Sequence, residues 1–501
     1  MFVDRDTLRF VMLDQLLSKV NPLTEYGKKS LDGMKCLIKN GEDFQKHWER
    51  LVKVFNMDSR KVQIIKQHLL RMGSIDQQMN YGFKTVGDFA RLKRFVYHCR
   101  ELADLGRDIW FFPDLSDLWV KLSDLTGDQE GFNLRSEKML SLRKDHLLIS
   151  KELENAKSRL IQEIESEFSI KLPDDEFTCD ENVAKDIIEK DFAEVVRRSA
   201  GRYHLKLKPT GEMLKLADRL NKIEEFMTSE EQHLLSELEK IAGEFFEVLK
   251  VCEMTVEQID LDLCRYDFFF LYKCCQPEIS EKIIVKSGRY PPVKEFCEKN
   301  DYQYYPVDIE INRGITVLYG PNMGGKTTVL RTIGCFVILF HMGFPIPADA
   351  FSCPVLGFVR YVSRGDGVGL SSFASEIVSF NNILSLPGKK FVLIDEFGST
   401  TNPVEGEALA VAAVKCLNDS DDYFLFTSHY PEVVKIASRV YMCGKIKNFD
   451  ADDPHRMIDY SIEKDIKSNQ KMALLLAKKL GLSEKIVEAA ENFLGKGEDS
   501  G

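Results

Sequence analysis

A chain of 501 residues that is 44% hydrophobic and 29% charged can bury several cores, so two to four domains are expected and a single compact enzyme domain is excluded. The formal net charge of −11 weighs against a broad non-specific grip on nucleic acid, because Lys and Arg neutralising phosphates supply most of that affinity; any DNA contact is expected to be local. Twelve scattered cysteines without a C-x-x-C pair exclude a zinc ribbon or a redox motif, and with neither a bilayer-length apolar stretch nor a signal peptide the protein is expected in the cytoplasm.

Residues 1–125 carry apolar positions at three- and four-residue spacing, as from Leu8 to Leu17, and are expected to form the first part of a helical core. From there the series Met139, Leu142, His146, Ile149, Leu153, Ala156 and Leu160 predicts a long helix with a packing seam. A second seam runs through Leu220, Ile223, Met227, Leu234, Leu238, Ile241, Phe245 and Val248. Two such helices can pair antiparallel, which makes residues 126–275 a lever-like arm with residues of about 171–215 at its tip. Residues 197–222 set eight basic residues against two acidic ones, a net of +6. Within this span Arg197, Arg198, Arg202, Lys206 and Lys208 are the candidates for a DNA or partner contact, against the ordinary reading of a charge run as a solvated face. The alternation from His204 to Lys208, ended by Pro209, predicts a short strand.

Residues 276–465 read as an α/β nucleotide-binding domain. The run Gly320-Pro321-Asn322-Met323-Gly324-Gly325-Lys326-Thr327-Thr328 follows the strand-like Ile315 to Tyr319 and precedes a helix-like Val329 to Ile333. The pattern G-x-x-x-x-G-K-[ST] in that setting turns backbone N–H groups inward around phosphates, brings Lys326 to the β- and γ-phosphates and places Thr327 on Mg²⁺. About 70 residues on, Phe391 to Ile394 reads as a buried parallel strand ending in Asp395 and Glu396. Asp395 there can hold Mg²⁺ and Glu396 can accept the proton of an attacking water, so ATP is expected to be hydrolysed as well as bound.

These motifs resemble the MutS family. The phosphate loop, the Leu393 to Glu396 strand end, the segment Gly398 to Gly406 and Thr427-Ser428-His429-Tyr430 fall in that family's order and spacing, and Gly369 to Ile377 is similar to its signature loop. The resemblance implies an ABC-like ATPase in which Ser371 and Ser372 reach the nucleotide of a partner subunit, His429 senses the γ-phosphate and Tyr304 stacks on adenine. It also implies a homodimer or a paired MutS-like subunit, a clamp at the tip of the helical arm, and a dimerising helix-turn-helix in residues 466–501, around Lys471 to Glu484. The chain opens on core-like helices, where mismatch-repair members carry a reader domain with an aromatic-x-Glu wedge and then a connector. Wedge insertion into DNA is therefore not expected. Where the family has Gly-Arg-Gly-Thr, this chain has Gly398-Ser399-Thr400-Thr401, which resembles MutS-like ATPases grouped with cobalamin-dependent aminomutases. A nucleotide-switched clamp on DNA is the first expectation, and an ATP-driven reactivase or chaperone for a protein client is the alternative.

Overall fold

The computed structural model describes residues 2–33, 36–128, 130–199, 201–363, 372–446, 458–464 and 481–490. The chain divides into two compact units, one of residues 1–66 with 256–501 and one of residues 67–255.

The first unit is built on a six-stranded sheet in the order Ile458–Lys464, Val440–Ile446, Gly314–Tyr319, Tyr423–Ser428, Lys390–Asp395, Phe358–Tyr361. All neighbours are parallel except the first pair. The three central strands are almost wholly buried, as near-continuous apolar runs require when helices cover both faces. On one face Leu318, Phe391, Leu393 and Leu425 pack on the helix Lys326–His341. On the other, Ile315, Val317, Val392, Ile394, Phe424 and Phe426 meet Ile383, Ala410 and Val414 from the helices Ser372–Leu384 and Pro403–Leu417. A four-stranded sheet, in the order Glu278–Ile279, Ala350–Cys353, Ile283–Gly288, Val307–Ile311, completes the unit.

The first 66 residues belong with this sheet, whereas their helical pattern grouped them with residues up to 125. Val3 bridges Val359 beside the edge strand, Phe10 stacks on Tyr361 with ring centroids 3.8 Å apart, and Tyr290 donates from its hydroxyl to the Val11 carbonyl at 2.7 Å. An amphipathic helix announces that it has a buried face but not which core receives it.

Two buried histidines grip the region where the helix Lys326–His341 ends. His47 Nε2 lies 2.8 Å from the Gly343 carbonyl oxygen, and its Nδ1 lies 3.0 Å from Arg50 Nη2. Burial, reinforced by the nearby Arg265, pushes its pKa down to about 3. His341 bridges the Val337 carbonyl and the Leu356 N–H, and burial pushes its pKa down to about 4. Between those values and the ordinary 6.5 the unfolded chain binds protons that the folded protein refuses, so stability is complete above about pH 6.5 and falls on acidification. Each histidine is expected to cost up to roughly 2 kcal/mol by pH 5, at about 1.4 kcal/mol per pH unit. Calorimetric unfolding should therefore begin at clearly lower temperature at pH 5 than at pH 7; coincident transitions would contradict this.

In the second unit the helices Glu137–Phe168 and Gly211–Glu244 run antiparallel, as cross-links of Ser136 with Glu230, His146 with Glu224 and Arg159 with Glu212 require. Ile149, Ala156 and Leu216 are buried between them, with Leu153, Leu220 and Ile223 alongside. His146, the polar member of the seam, is paired with Glu224 at 3.3 Å. The second seam does not continue in one helix to Val248: the helix ends at Glu244 and a new one begins at Phe246. Joining the pair is a three-stranded antiparallel sheet, Glu176–Asp180, Arg202–Leu207 and Ala193–Ser199, with the helix Glu181–Glu189. The strand Arg202–Leu207 buries Tyr203, Leu205 and Leu207 and exposes Arg202 and Lys206, the period-two pattern of its sequence.

Candidate active site

Strand register assembles the site. Thr427 stands opposite Asp395 on one side and Leu318 on the other, so the loop 320–325, the carboxylates 395 and 396 and His429 all emerge at one edge of the sheet, at the carboxyl ends of parallel strands. That edge is where ligands bind in open α/β sheets.

The loop between Tyr319 and the helix starting at Lys326 is held by its own backbone and by a neighbouring strand. Gly324 N–H donates to the Pro321 carbonyl at 3.0 Å, and Gly325 caps the helix at φ +85°. A Cβ on Gly320 would lie 2.1 Å from the Cys443 carbonyl oxygen, and one on Gly444, at φ +76°, would lie 2.5 Å from the Gly324 Cα. Only glycines let the strand Val440–Ile446 back the loop so closely. Gly444 was not among the expected site residues, although a lone glycine within a strand-like run, here at a register shift, is the signal that marks such an approach.

Lys326 is nearly buried, donates to the carbonyls of Gly320 and Pro321 at 2.7 and 2.9 Å, and stands 3.3 Å from Glu396 Oε1. Thr327 Oγ1 lies 3.0 and 3.2 Å from the two Asp395 oxygens, and Thr427 Oγ1 donates to Asp395 Oδ1 at 2.7 Å. A hydroxyl beside a carboxylate is the hard-oxygen chemistry that suits Mg²⁺, which fills its remaining positions from water and phosphate. Glu396 sits at φ +51°, a conformation that costs a non-glycine residue about 1–2 kcal/mol. Its N–H donates to Thr427 Oγ1 at 2.9 Å, and His429 Nδ1 lies 3.7 Å from its carboxylate.

A cavity of 620 Å³ runs from this loop to a cluster of aromatic residues. Loop residues Pro321, Asn322, Met323, Gly324, Gly325, Lys326, Thr327 and Thr328 line it together with Glu396, Tyr304, Tyr305, Phe296 and Tyr460. Tyr304 is fixed at its hydroxyl, which accepts from Tyr290 N–H at 2.7 Å, and burial pushes its pKa up to about 12. Tyr305 and Tyr460 lie with ring centroids 6.2 Å apart, tilted at 58° to each other. Tyr460 had no local motif to announce it.

Ser372 is the exposed first residue of its helix, and Ser371 lies outside the described residues, as does most of the expected helix-turn-helix; of that segment residues 484–490 are helical. In the second unit Arg197 and Arg198 are exposed, with Arg198 over the Tyr203 ring. Arg202 pairs with Asp180 at 3.7 Å, Lys206 with Glu176 at 3.3 Å, and Lys208 with Asp191. These ion pairs offset part of the positive charge of the basic run.

Residues 316–496 match the family model described as MutS domain V. The chain is 32% identical over 252 residues to a protein named Endonuclease MutS2 from Ruminiclostridium cellulolyticum, covering 47% of this chain and 31% of the relative. A protein of the same name from Aquifex aeolicus is 25% identical over 420 residues, 81% of this chain and 53% of the relative. One from Halalkalibacterium halodurans is 29% identical over 270 residues, 52% and 33%. The chain thus spans between about a third and about a half of the length of the curated relatives it matches.

Proposed function

We propose that this chain, a member of the MutS family, is an ATP-hydrolysing switch that works as a dimer and closes on DNA. The observation that carries the reading is the convergence on one sheet edge of the glycine loop with Lys326, the Thr327–Asp395 pair, Glu396 and His429, beside a cavity of 620 Å³ lined by the loop, Lys326, Thr327 and Glu396. The loop N–H groups and Lys326 hold the phosphates; Tyr304 and its aromatic neighbours receive the base. Thr327 and Asp395 hold Mg²⁺, which when bound neutralises charge on the phosphate oxygens. Glu396 takes a proton from the attacking water, and His429, beside it, responds to the γ-phosphate. Almost all of this catalysis is positioning and electrostatics. Ser371 and Ser372 complete a partner's site, which makes the dimer part of the chemistry. The nuclease named for the relatives is left with them, since the matched stretches cover 31–53% of their lengths.

DNA is the substrate surface that family membership favours, read by the exposed basic strand residues of the second unit. The net charge of −11 and the ion-paired state of Arg202, Lys206 and Lys208 favour the alternative, an ATP-driven chaperone for a protein client. Steady-state ATP hydrolysis with and without duplex, branched and mismatched DNA, at low and physiological salt, separates the two. Stimulation by DNA that weakens with salt is expected. Replacing Arg197, Arg198, Lys206 and Lys208 by Ser should then weaken DNA binding and flatten its salt slope by up to about four counterions, while basal hydrolysis stays constant. Hydrolysis indifferent to every DNA, with an unchanged salt slope, would transfer the assignment to a protein client.

A further inference from the structure

Glu396 holds a left-handed backbone conformation, so its geometry has to be imposed from outside the residue. Thr427 supplies one restraint, on the Glu396 N–H. A further restraint lies two residues downstream, where Gly398 N–H donates to Glu376 Oε2 at 3.1 Å. Glu376 is 1% exposed and belongs to the helix Ser372–Leu384. The same helix sends Phe380 against Phe397, with ring centroids 5.0 Å apart, so the residue between Glu396 and Gly398 is clasped as well. From the opposite side Gly406 closes the loop: a Cβ there would lie 2.4 Å from the Gly398 carbonyl oxygen and 2.7 Å from the Tyr430 hydroxyl. A buried carboxyl oxygen that accepts from a backbone amide next to a strained catalytic candidate has more consequence than packing alone, because a hydrogen bond fixes direction as well as distance.

We propose that Glu376 is a positioning residue for Glu396, acting through the Gly398 N–H to aim the Glu396 carboxylate at the attacking water. The inference rests on the ATPase reading and deepens it. Ser372 lies four residues earlier, one turn along the same helix, so the element expected to touch the partner's nucleotide is the element that sets this subunit's own carboxylate. A displacement of that helix would be passed directly to Glu396.

The test compares Mg·ATP hydrolysis by the full-length wild-type chain, E376A, E376L, E376Q and E396Q, with ATP affinity and thermal midpoint measured on the same preparations. Glutamine keeps a carbonyl acceptor for the Gly398 N–H, whereas alanine and leucine do not. E376A and E376L are expected to lose about tenfold or more in kcat with KM and ATP affinity within about twofold, and E376Q to recover to within about threefold of wild type, since small misplacements of a catalytic group carry losses of that size. Leucine keeps most of the volume and serves where alanine does not fold. Wild-type kcat in E376L, or an E376Q as slow as E376L, overturns the positioning role while E396Q, if inactive, keeps the ATPase reading intact. An E396Q variant as active as wild type overturns that underlying reading and the positioning role with it.

Discussion

A Glu396→Gln variant is expected to bind Mg·ATP with affinity within a few-fold of wild type and to hydrolyse it roughly 10²–10⁴ times more slowly, the range a positioned general base supplies. Glutamine preserves shape and the Glu396 N–H bond to Thr427 but cannot take the water's proton. The substitution also removes a negative charge 3.3 Å from Lys326, at the edge of the cavity where the γ-phosphate is placed, so binding should hold or tighten. Single-turnover hydrolysis alongside equilibrium binding separates the two effects. Wild-type turnover in Glu396→Gln would remove this residue from the mechanism, whatever happens to binding.

Lys326→Ala is expected to fail at the earlier step, with ATP affinity falling by about 10- to 100-fold. That corresponds to a lost charge-assisted contact worth about 1.5–3 kcal/mol. In the structure the ammonium is almost fully enclosed and directed by the carbonyls of Gly320 and Pro321, so it is pre-aimed and gives up little side-chain freedom on meeting phosphate. Removing it also deprives Glu396 of a cation 3.3 Å away, so phosphate and carboxylate repel across the site. Nucleotide titration by calorimetry reads the loss directly. An alanine variant that binds as tightly as wild type would mean that the loop amides alone hold the phosphates.

Much of this site was legible because its pieces are local. The glycines, Lys326 and Thr327 are consecutive, and Asp395 and Glu396 follow an apolar run whose burial the pattern itself predicts. The long helices were legible for the same reason: heptad spacing across Met139 to Leu160 encodes a seam, and the seam is filled. Less legible were residues whose part depends on partners far along the chain. Thr427 stands in a motif the sequence marks, yet nothing local there shows that its hydroxyl orders both Asp395 and Glu396 on the neighbouring strand. Tyr460 comes from an edge strand paired antiparallel, and Gly444 acts only through contact with Gly324. The basic run shows the opposite case. Its charges are plain in sequence, yet the acidic partners that offset three of them, Asp180, Glu176 and Asp191, sit on other elements of the tip.

By itself, then, the sequence determined the phosphate-loop and carboxylate motifs, their order and the two long helices, because phosphate loops, buried strands and seams are patterns of near neighbours. Tertiary structure alone decided that the first 66 residues join the six-stranded sheet and that Glu376 reaches the Gly398 amide, two residues from Glu396. It also decided that a glycine on a neighbouring strand backs the phosphate loop. Each of these depends on which surfaces meet once strands cross over. An amphipathic helix or a lone carboxylate records that it needs a partner without recording where the partner lies.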